Sequence, residues 1–135
     1  MALKVTVLMA VYNGEKYLQE SIDGILNQTY TNFEFLIIND CSTDNSSEIL
    51  ASYDDPRIHI FVNKQNLGLT RSLNIGLRLA RGIYIARQDV DDISLPTRLE
   101  KQVDFFEHNS GFALLGTGIA VINENREILF WNQAA

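Results

Sequence analysis

Residues 5–28 read Val5-Thr6-Val7-Leu8-Met9-Ala10-Val11-Tyr12-Asn13-Gly14-Glu15-Lys16-Tyr17-Leu18-Gln19-Glu20-Ser21-Ile22-Asp23-Gly24-Ile25-Leu26-Asn27-Gln28. The first seven residues are rich in β-branched side chains and do not alternate apolar with polar. That pattern predicts a strand covered on both faces, which is the situation of a parallel sheet. The period then changes. From Gly14 to Gln28, Tyr17, Leu18, Ile22, Ile25 and Leu26 recur at helical spacing and form one apolar stripe.

The same alternation runs outward through the chain. Phe33 to Ile38 predicts a second strand, and Asn45-Ser46-Ser47-Glu48 a helix start with an amide cap and a glutamate three residues on. Ile58 to Val62 predicts a third strand. The helix after it runs from Leu69 to Arg81, with Leu69, Leu73, Leu77 and Ala80 toward the core and Gly82 as its stop. Ile83-Tyr84-Ile85-Ala86 predicts a fourth buried strand. Pro96 then opens a helix through Leu99, Val103 and Phe106 to about Asn109. Phe112 to Val121 and Ile128 to Trp131 predict two more strands joined by Asn123-Glu124-Asn125. Strand and helix in repeated alternation imply an α/β fold of three layers, α/β/α, around a mostly parallel sheet.

At 135 residues the chain reads as one domain, residues 1–135, long enough to bury a core. Its 46% hydrophobic and 21% charged content fits a folded rather than a disordered chain. A net charge of −6 leaves no basic stripe for a nucleic-acid backbone, so no nucleic-acid partner is expected. The single cysteine, Cys41, forms no internal disulfide, which points to a reducing compartment, the cytoplasm. No stretch reaches the ~18 apolar residues of a membrane span. Attachment to the cytoplasmic face of a membrane through a segment beyond this chain stays open. The last residues, Asn132 to Ala135, offer no closing element, and the expectation is that the chain is cut short.

Ligands of open α/β sheets bind beyond the carboxyl ends of the strands. Polar residues gather there. Tyr12-Asn13-Gly14-Glu15 follows the first strand and Asp40-Cys41-Ser42-Thr43-Asp44 the second. Asn63-Lys64-Gln65-Asn66-Leu67-Gly68 follows the third and Asp89-Val90-Asp91-Asp92 the fourth. Three carboxylates in four positions repel one another unless a positive partner compensates. Asp89 and Asp91, two apart in an extended segment, project the same way, and hard oxygen donors suit Mn2+ or Mg2+ shared with a diphosphate.

Blander readings compete. A D-x-D-D run is often a solvated capping loop, with Asp92 or Ser94 capping the helix at Pro96. An EF-hand is excluded because Ile93 and Ser94 stand where a ligand and a glycine are required. Asp40 is read equally as a turn former or as an acceptor for a base N–H. Asp44 and Asn45 read as caps; Lys64, Arg71 and Arg87 as surface charges; His59 as a strand residue; His108 as a partner of a helix dipole.

Three blocks together carry a resemblance: VTVLMAVYNGEKYLQESIDGILNQTYTNFEFLIINDCSTDNS, then NLGLTRSLNIGL, then IYIARQDVDDISLPTRLEKQ. The chain resembles the family 2 glycosyltransferases over roughly residues 4 to 125. The resemblance implies a GT-A type fold, a nucleotide-diphospho-sugar donor (most commonly UDP-linked), a glycan or glycolipid acceptor, and inverting transfer assisted by Mn2+ or Mg2+. It implies that Ala10, Val11, Tyr12 and Glu15 belong to a first nucleotide-binding segment and that Asp40 recognises the base. It further implies that Asn66, Gly68 and Arg71 approach base and diphosphate, that Asp89 or Val90 lies near the ribose, and that of the pair Asp89 and Asp91 the latter is the direct metal ligand. Cys41 stands where the family usually has glycine. The resemblance also implies a general base in an acceptor-binding half, expected beyond residue 135, so that this piece binds donor without turning over. A dehydrogenase is disfavoured, since one glycine does not make the dinucleotide-binding loop. A non-catalytic module of the same fold is the remaining alternative.

Overall fold

The computed structural model describes residues 2–132. They fall into two compact units whose boundary lies between Lys101 and Gln102. The first unit contains strand β1 (Val5–Val11), helix α1 (Leu18–Leu26), β2 (Phe33–Asn39), α2 (Ser46–Ala51), β3 (Ile58–Val62), α3 (Leu69–Leu79) and β4 (Tyr84–Arg87). It ends within the first turn of α4 (Arg98–His108). The second unit contains the rest of α4, then β5 (Ile119–Ile122) and β6 (Ile128–Asn132). No helix among the described residues is long and apolar enough to cross a membrane.

The main sheet has the order β3-β2-β1-β4, and every pair in it is parallel. The chain thus moves outward from β1 to β3, then returns to add β4 on the other side of β1. Strand order reverses between β1 and β4, the position at which an open α/β sheet leaves a crevice.

β1 and β2 are central, and their uninterrupted apolar runs are explained by cover on both faces. Val7, Met9, Phe35 and Ile37 are fully buried, as is Ile38. Each such side chain contributes roughly 1.5–3 kcal/mol relative to exposure. On one face Leu8, Leu36 and Ile38 form a cluster against which Leu73 and Ile75 of α3 pack. The opposite-facing Val5, Val7 and Met9 are equally buried, and α1 contributes the buried Leu18, Ile22 and Ile25. The three-layer α/β expectation holds.

Several expectations require correction. Helix α1 begins at Leu18, and Tyr17 lies outside its core stripe, half-exposed. The face of α3 is also rotated from the leucine pattern. Ser72 and Gly76 are its buried residues, while Leu69 and Leu77 are exposed. The reason is close approach: a Cβ on Gly76 would stand 2.2 Å from Leu8 Cδ1, so the helix seats its smallest residue on β1. Among the described residues β4 pairs with β1 alone and stands at the sheet edge, and Ile85 within it and Ile83 just before it are exposed rather than buried. Helix α4 starts at Arg98, two residues after Pro96. Asn45 makes no side-chain cap on α2. Its neighbour Asp44 does the work, accepting the Ser46 N–H at 2.9 Å on Oδ1.

The buried acid of the sheet lies toward the amino ends of the strands. Glu34 accepts hydrogen bonds from Thr6 Oγ1 (2.6 Å), Arg81 N (2.8 Å) and Arg81 Nε (2.8 Å). Burial works to raise the Glu34 pKa, but those bonds and the Arg81 charge outweigh it and hold the carboxyl below its ordinary value. His59 has a neighbour as well: its ring stands 3.0 Å from Arg81 Nη2.

In the second unit β5 and β6 form an antiparallel pair with an irregular register at Val121/Ile122. The strand expected from Phe112 begins only at Ile119; ahead of it Gly111 takes a φ of 94° and Phe112 packs edge-on against Phe105 at 5.3 Å.

Candidate functional site at the carboxyl ends of the strands

Two loops are locked together beyond β1 and β2. Asn13, at a φ of 51°, turns its Oδ1 to accept the N–H groups of Thr43 (2.8 Å) and Asp44 (3.3 Å). The Asn13 and Gly14 amides donate in return to Ser42 Oγ and Ser46 Oγ. Asparagine tolerates this left-handed conformation better than most residues, which accounts for its place here. Cys41 adopts the same region at a φ of 61°, so the turn after Asp40 has the backbone shape that glycine favours.

Asp40 is 3% exposed and organises the loop after β3. Its Oδ1 accepts from Asn63 Nδ2 (2.7 Å) and Leu67 N (2.8 Å), and its Oδ2 from Gly68 N (2.8 Å). Burial pushes the Asp40 pKa up, but the bonds from Leu67, Asn63, Gly68 and Ser72 prevail and the carboxyl is held below its ordinary value. Gly68, at a φ of 85°, then turns the chain into α3. The result is a cleft of about 400 Å³ lined by Ala10, Val11, Tyr12, Asp40, Asn66, Gly68 and Leu69.

The acidic turn follows β4. Gln88 N extends the sheet ladder by donating to Leu8 O at 3.0 Å, and Asp92 N closes the turn on Asp89 O at 3.1 Å. Val90 packs onto Gly14, placing the turn beside the first loop at the β1/β4 reversal. Asp89 is paired with Arg87, Nε to Oδ1 at 2.9 Å. Among the described residues no hydrogen bond or ion pair engages the exposed Asp91 carboxylate. Asp92 exposes most of its surface, yet packing around its carboxyl, then the charges of Asp89 and Asp91, raise its pKa against the pull of Arg98 and Arg87. The turn is therefore short of positive charge.

The sequence-predicted residues thus divide. Ala10, Val11, Tyr12, Asp40, Asn66 and Gly68 line one cleft. Asp89, Val90 and Asp91 sit on the adjoining turn. Glu15 is elsewhere: it lines a separate 530 Å³ cavity with Asn45, Glu48, Ile49 and Ser52, and its Oε2 accepts the Asn45 N–H. Arg71 is exposed on α3 and is not among the cleft-lining residues. Among the described residues no three histidine, cysteine or acidic side chains converge as a ready-made metal cage. Asp92 and Ser94 do not cap α4; Ser94 Oγ instead donates to Gln88 Oε1 at 2.7 Å.

Asn63, Gln88 and Arg98 were missed as organisers by the sequence reading. The available signals were a polar residue directly after an apolar strand, at 63 and 88, and a single arginine just past the proline at 96.

Residues 6–132 match the family described as Glycosyl transferase family 2. The EpsE protein of Bacillus subtilis is 48% identical over 125 residues, which cover 90% of this chain and 45% of that protein. The O-antigen biosynthesis glycosyltransferase WbnJ of Escherichia coli is 40% identical over 129 residues, covering 93% of this chain and 50% of its own length. The chain therefore spans about half the length of these curated relatives. Residues 1–349 of S. aureus TarS superpose with a TM-score of 0.74 at 27% identity, over 78% of this chain and 32% of that one. TarS 1–349 has also been solved in complex with UDP and with UDP-GlcNAc. The fold is of the GT-A type, and the chain belongs to glycosyl transferase family 2.

Proposed function

We propose that this chain is the donor-binding part of an inverting, metal-assisted glycosyltransferase, taking a UDP-linked sugar. The observation that carries the reading is that the segment leaving β1 serves both features: Val11 and Tyr12 line a cleft bordered by the Asp40-organised loop, and Gly14 meets Val90 of a turn bearing three carboxylates. A largely apolar lining with few polar groups suits a planar base. Ala10, Val11 and Tyr12 contribute lining from the end of β1. Asp40 governs base selection, because its carboxylate lines the cleft and fixes the Leu67 and Gly68 amides of the loop that borders it.

The donor set fits a hard divalent cation, Mn2+ or Mg2+. Asp91 offers an unengaged carboxylate and Asp89 stands two residues away. Because no three histidine, cysteine or acidic side chains converge as a cage among the described residues, an ion held by Asp91 and Asp89 keeps room for phosphate oxygens and water. When bound, the ion neutralises charge developing on the leaving diphosphate. The overall transfer breaks the bond from sugar C1 to the β-phosphate oxygen and forms one from C1 to the acceptor oxygen. The acceptor proton passes to a general base, and UDP departs. The residues described here hold and orient the donor for that displacement. The acceptor of the whole protein is a glycan or glycolipid.

Calorimetry with UDP tests the reading. UDP is expected to bind without metal and to bind more tightly with Mn2+. Absence of UDP binding under both conditions would support a non-catalytic module of the same fold instead.

A further inference from the structure

The acidic turn is held from beneath by residues to which the proposed function assigns no role. Gln88 is 2% exposed, and a buried amide is retained only with partners. Its Nε2 donates to Ser21 Oγ (3.0 Å) and Asp92 O (2.7 Å), with a longer approach to Asp89 O (3.3 Å). Its Oε1 accepts from Ser94 Oγ (2.7 Å) and from Arg98 Nη1 (2.8 Å). Arg98 Nη1 also donates to Ser94 Oγ at 2.9 Å, and Nη2 to Arg87 O at 2.8 Å. Ser21 Oγ donates to Asp89 O at 3.2 Å. The backbone carbonyls of Arg87, Asp89 and Asp92 are thereby all fixed, so both ends of the carboxylate-bearing turn are tied to one point.

We propose that Gln88 and Arg98 are positioning residues that preset the Asp89–Asp92 turn for a shared cation and diphosphate, so that the turn does not have to be ordered by its ligand. This rests on the donor-site reading above. Two features separate it from a glutamine that merely satisfies a core. Apart from Ser21, which itself holds Asp89 O, the side-chain hydrogen-bond partners of Gln88 and Arg98 belong to the turn, the strand residue entering it and the segment leaving it. Arg98 also brings positive charge close enough to interact with Asp89 and Asp92. That interaction offsets the mutual repulsion of the carboxylates without occupying Asp91. An outer layer that orients ligands is typically worth about 10- to 100-fold in metal affinity.

The test is calorimetric titration of the chain with UDP, without metal and at saturating Mn2+, for the wild type, Gln88→Leu, Arg98→Lys and the remote control Glu34→Gln. For Gln88→Leu the Mn2+-dependent gain in UDP affinity is expected to fall about tenfold or more. Metal-free affinity and stoichiometry should stay near wild type. Arg98→Lys, which keeps the charge but not the fork of donors, should lose part of the gain. Glu34→Gln should lower thermal stability and leave the gain intact. A merely structural role would reduce the competent fraction, hence stoichiometry, without changing the gain. Wild-type gain in both site variants would overturn the proposal. If Gln88→Leu does not fold, Arg98→Lys and Ser21→Ala decide by the same criterion. A wild type that binds UDP with no Mn2+ dependence would instead overturn the metal-assisted donor site on which the proposal stands, an outcome visible before any variant is measured.

Discussion

The Val90 side chain lies directly on Gly14: a Cβ added to Gly14 would stand 2.6 Å from Val90 Cγ2 and 2.9 Å from Val11 Cγ2. The acidic turn can sit this close to the loop after β1 because that glycine has no side chain. Gly14→Ala is therefore expected to push the two apart. Overpacking of this kind costs about 1–3 kcal/mol. Thermal melting should show the loss, and Mn2+-dependent UDP binding should weaken more than metal-free binding.

Asp40 joins the end of β2 to the loop that walls the cleft, through Asn63, Leu67 and Gly68. Asp40→Ala leaves those donors buried without their acceptor, at a cost of about 1–3 kcal/mol in stability. The released wall should also lower discrimination between UDP and other nucleoside diphosphates. Competition binding of UDP against GDP checks this. Unchanged preference in a folded Asp40→Ala protein would remove Asp40 from base selection.

Glu34 gives the chain an acid-sensitive fastening. Burial opposes its ionisation, yet bonds from Thr6 and Arg81 keep its folded pKa below the unfolded value. Its stabilising contribution is therefore fully present above the ordinary glutamate pKa of about 4.3 and is lost as pH falls below that value. Melting temperature should drop more steeply between pH 5 and pH 3 in the wild type than in Glu34→Gln. The variant should also be the less stable of the two at neutral pH. Parallel slopes for the two proteins would contradict this.

Asp91 is the unengaged carboxylate of the acidic turn, whereas Asp89 is already paired with Arg87. Asp91→Asn should abolish most of the Mn2+-dependent gain in UDP affinity while leaving the melting temperature of the metal-free protein unchanged or raised. The rise, if present, follows from relieving repulsion on Asp92. Calorimetry and melting of the same sample separate the two effects.

The central strands were legible in the sequence because burial on both faces demands uninterrupted apolar runs, and β1 and β2 have them. The α3 face was not, because leucines at Leu69 and Leu77 imitate a core stripe. The deciding residue was Gly76, whose contribution is an absent side chain, invisible to any hydrophobic period. β4 was expected to be buried because Ile83 and Ile85 are as apolar as central residues, and strand order cannot be derived from apolarity alone. The polar segments past the strand ends were legible because polar side chains just past apolar strands cluster at one sheet edge, whereas Ala10, Val11 and Gly68 were named from the family resemblance alone. Glu15 followed the same logic and still landed by α2, since one residue's rotation within a loop decides which cavity it meets. Gln88 and Arg98 went unread because a hydrogen-bond hub is a relation among distant residues, here Ser21, Ser94 and the turn, and not a local pattern.

The most direct measurement is a crystal of this chain grown with UDP and MnCl2, with anomalous scattering collected at the manganese edge. The account predicts one manganese peak bound by an Asp91 oxygen and bridging to the diphosphate, with the uracil in the cleft beside Tyr12 and the loop held by Asp40. A manganese peak and a nucleotide lodged away from this turn and cleft, with both left open, would contradict it.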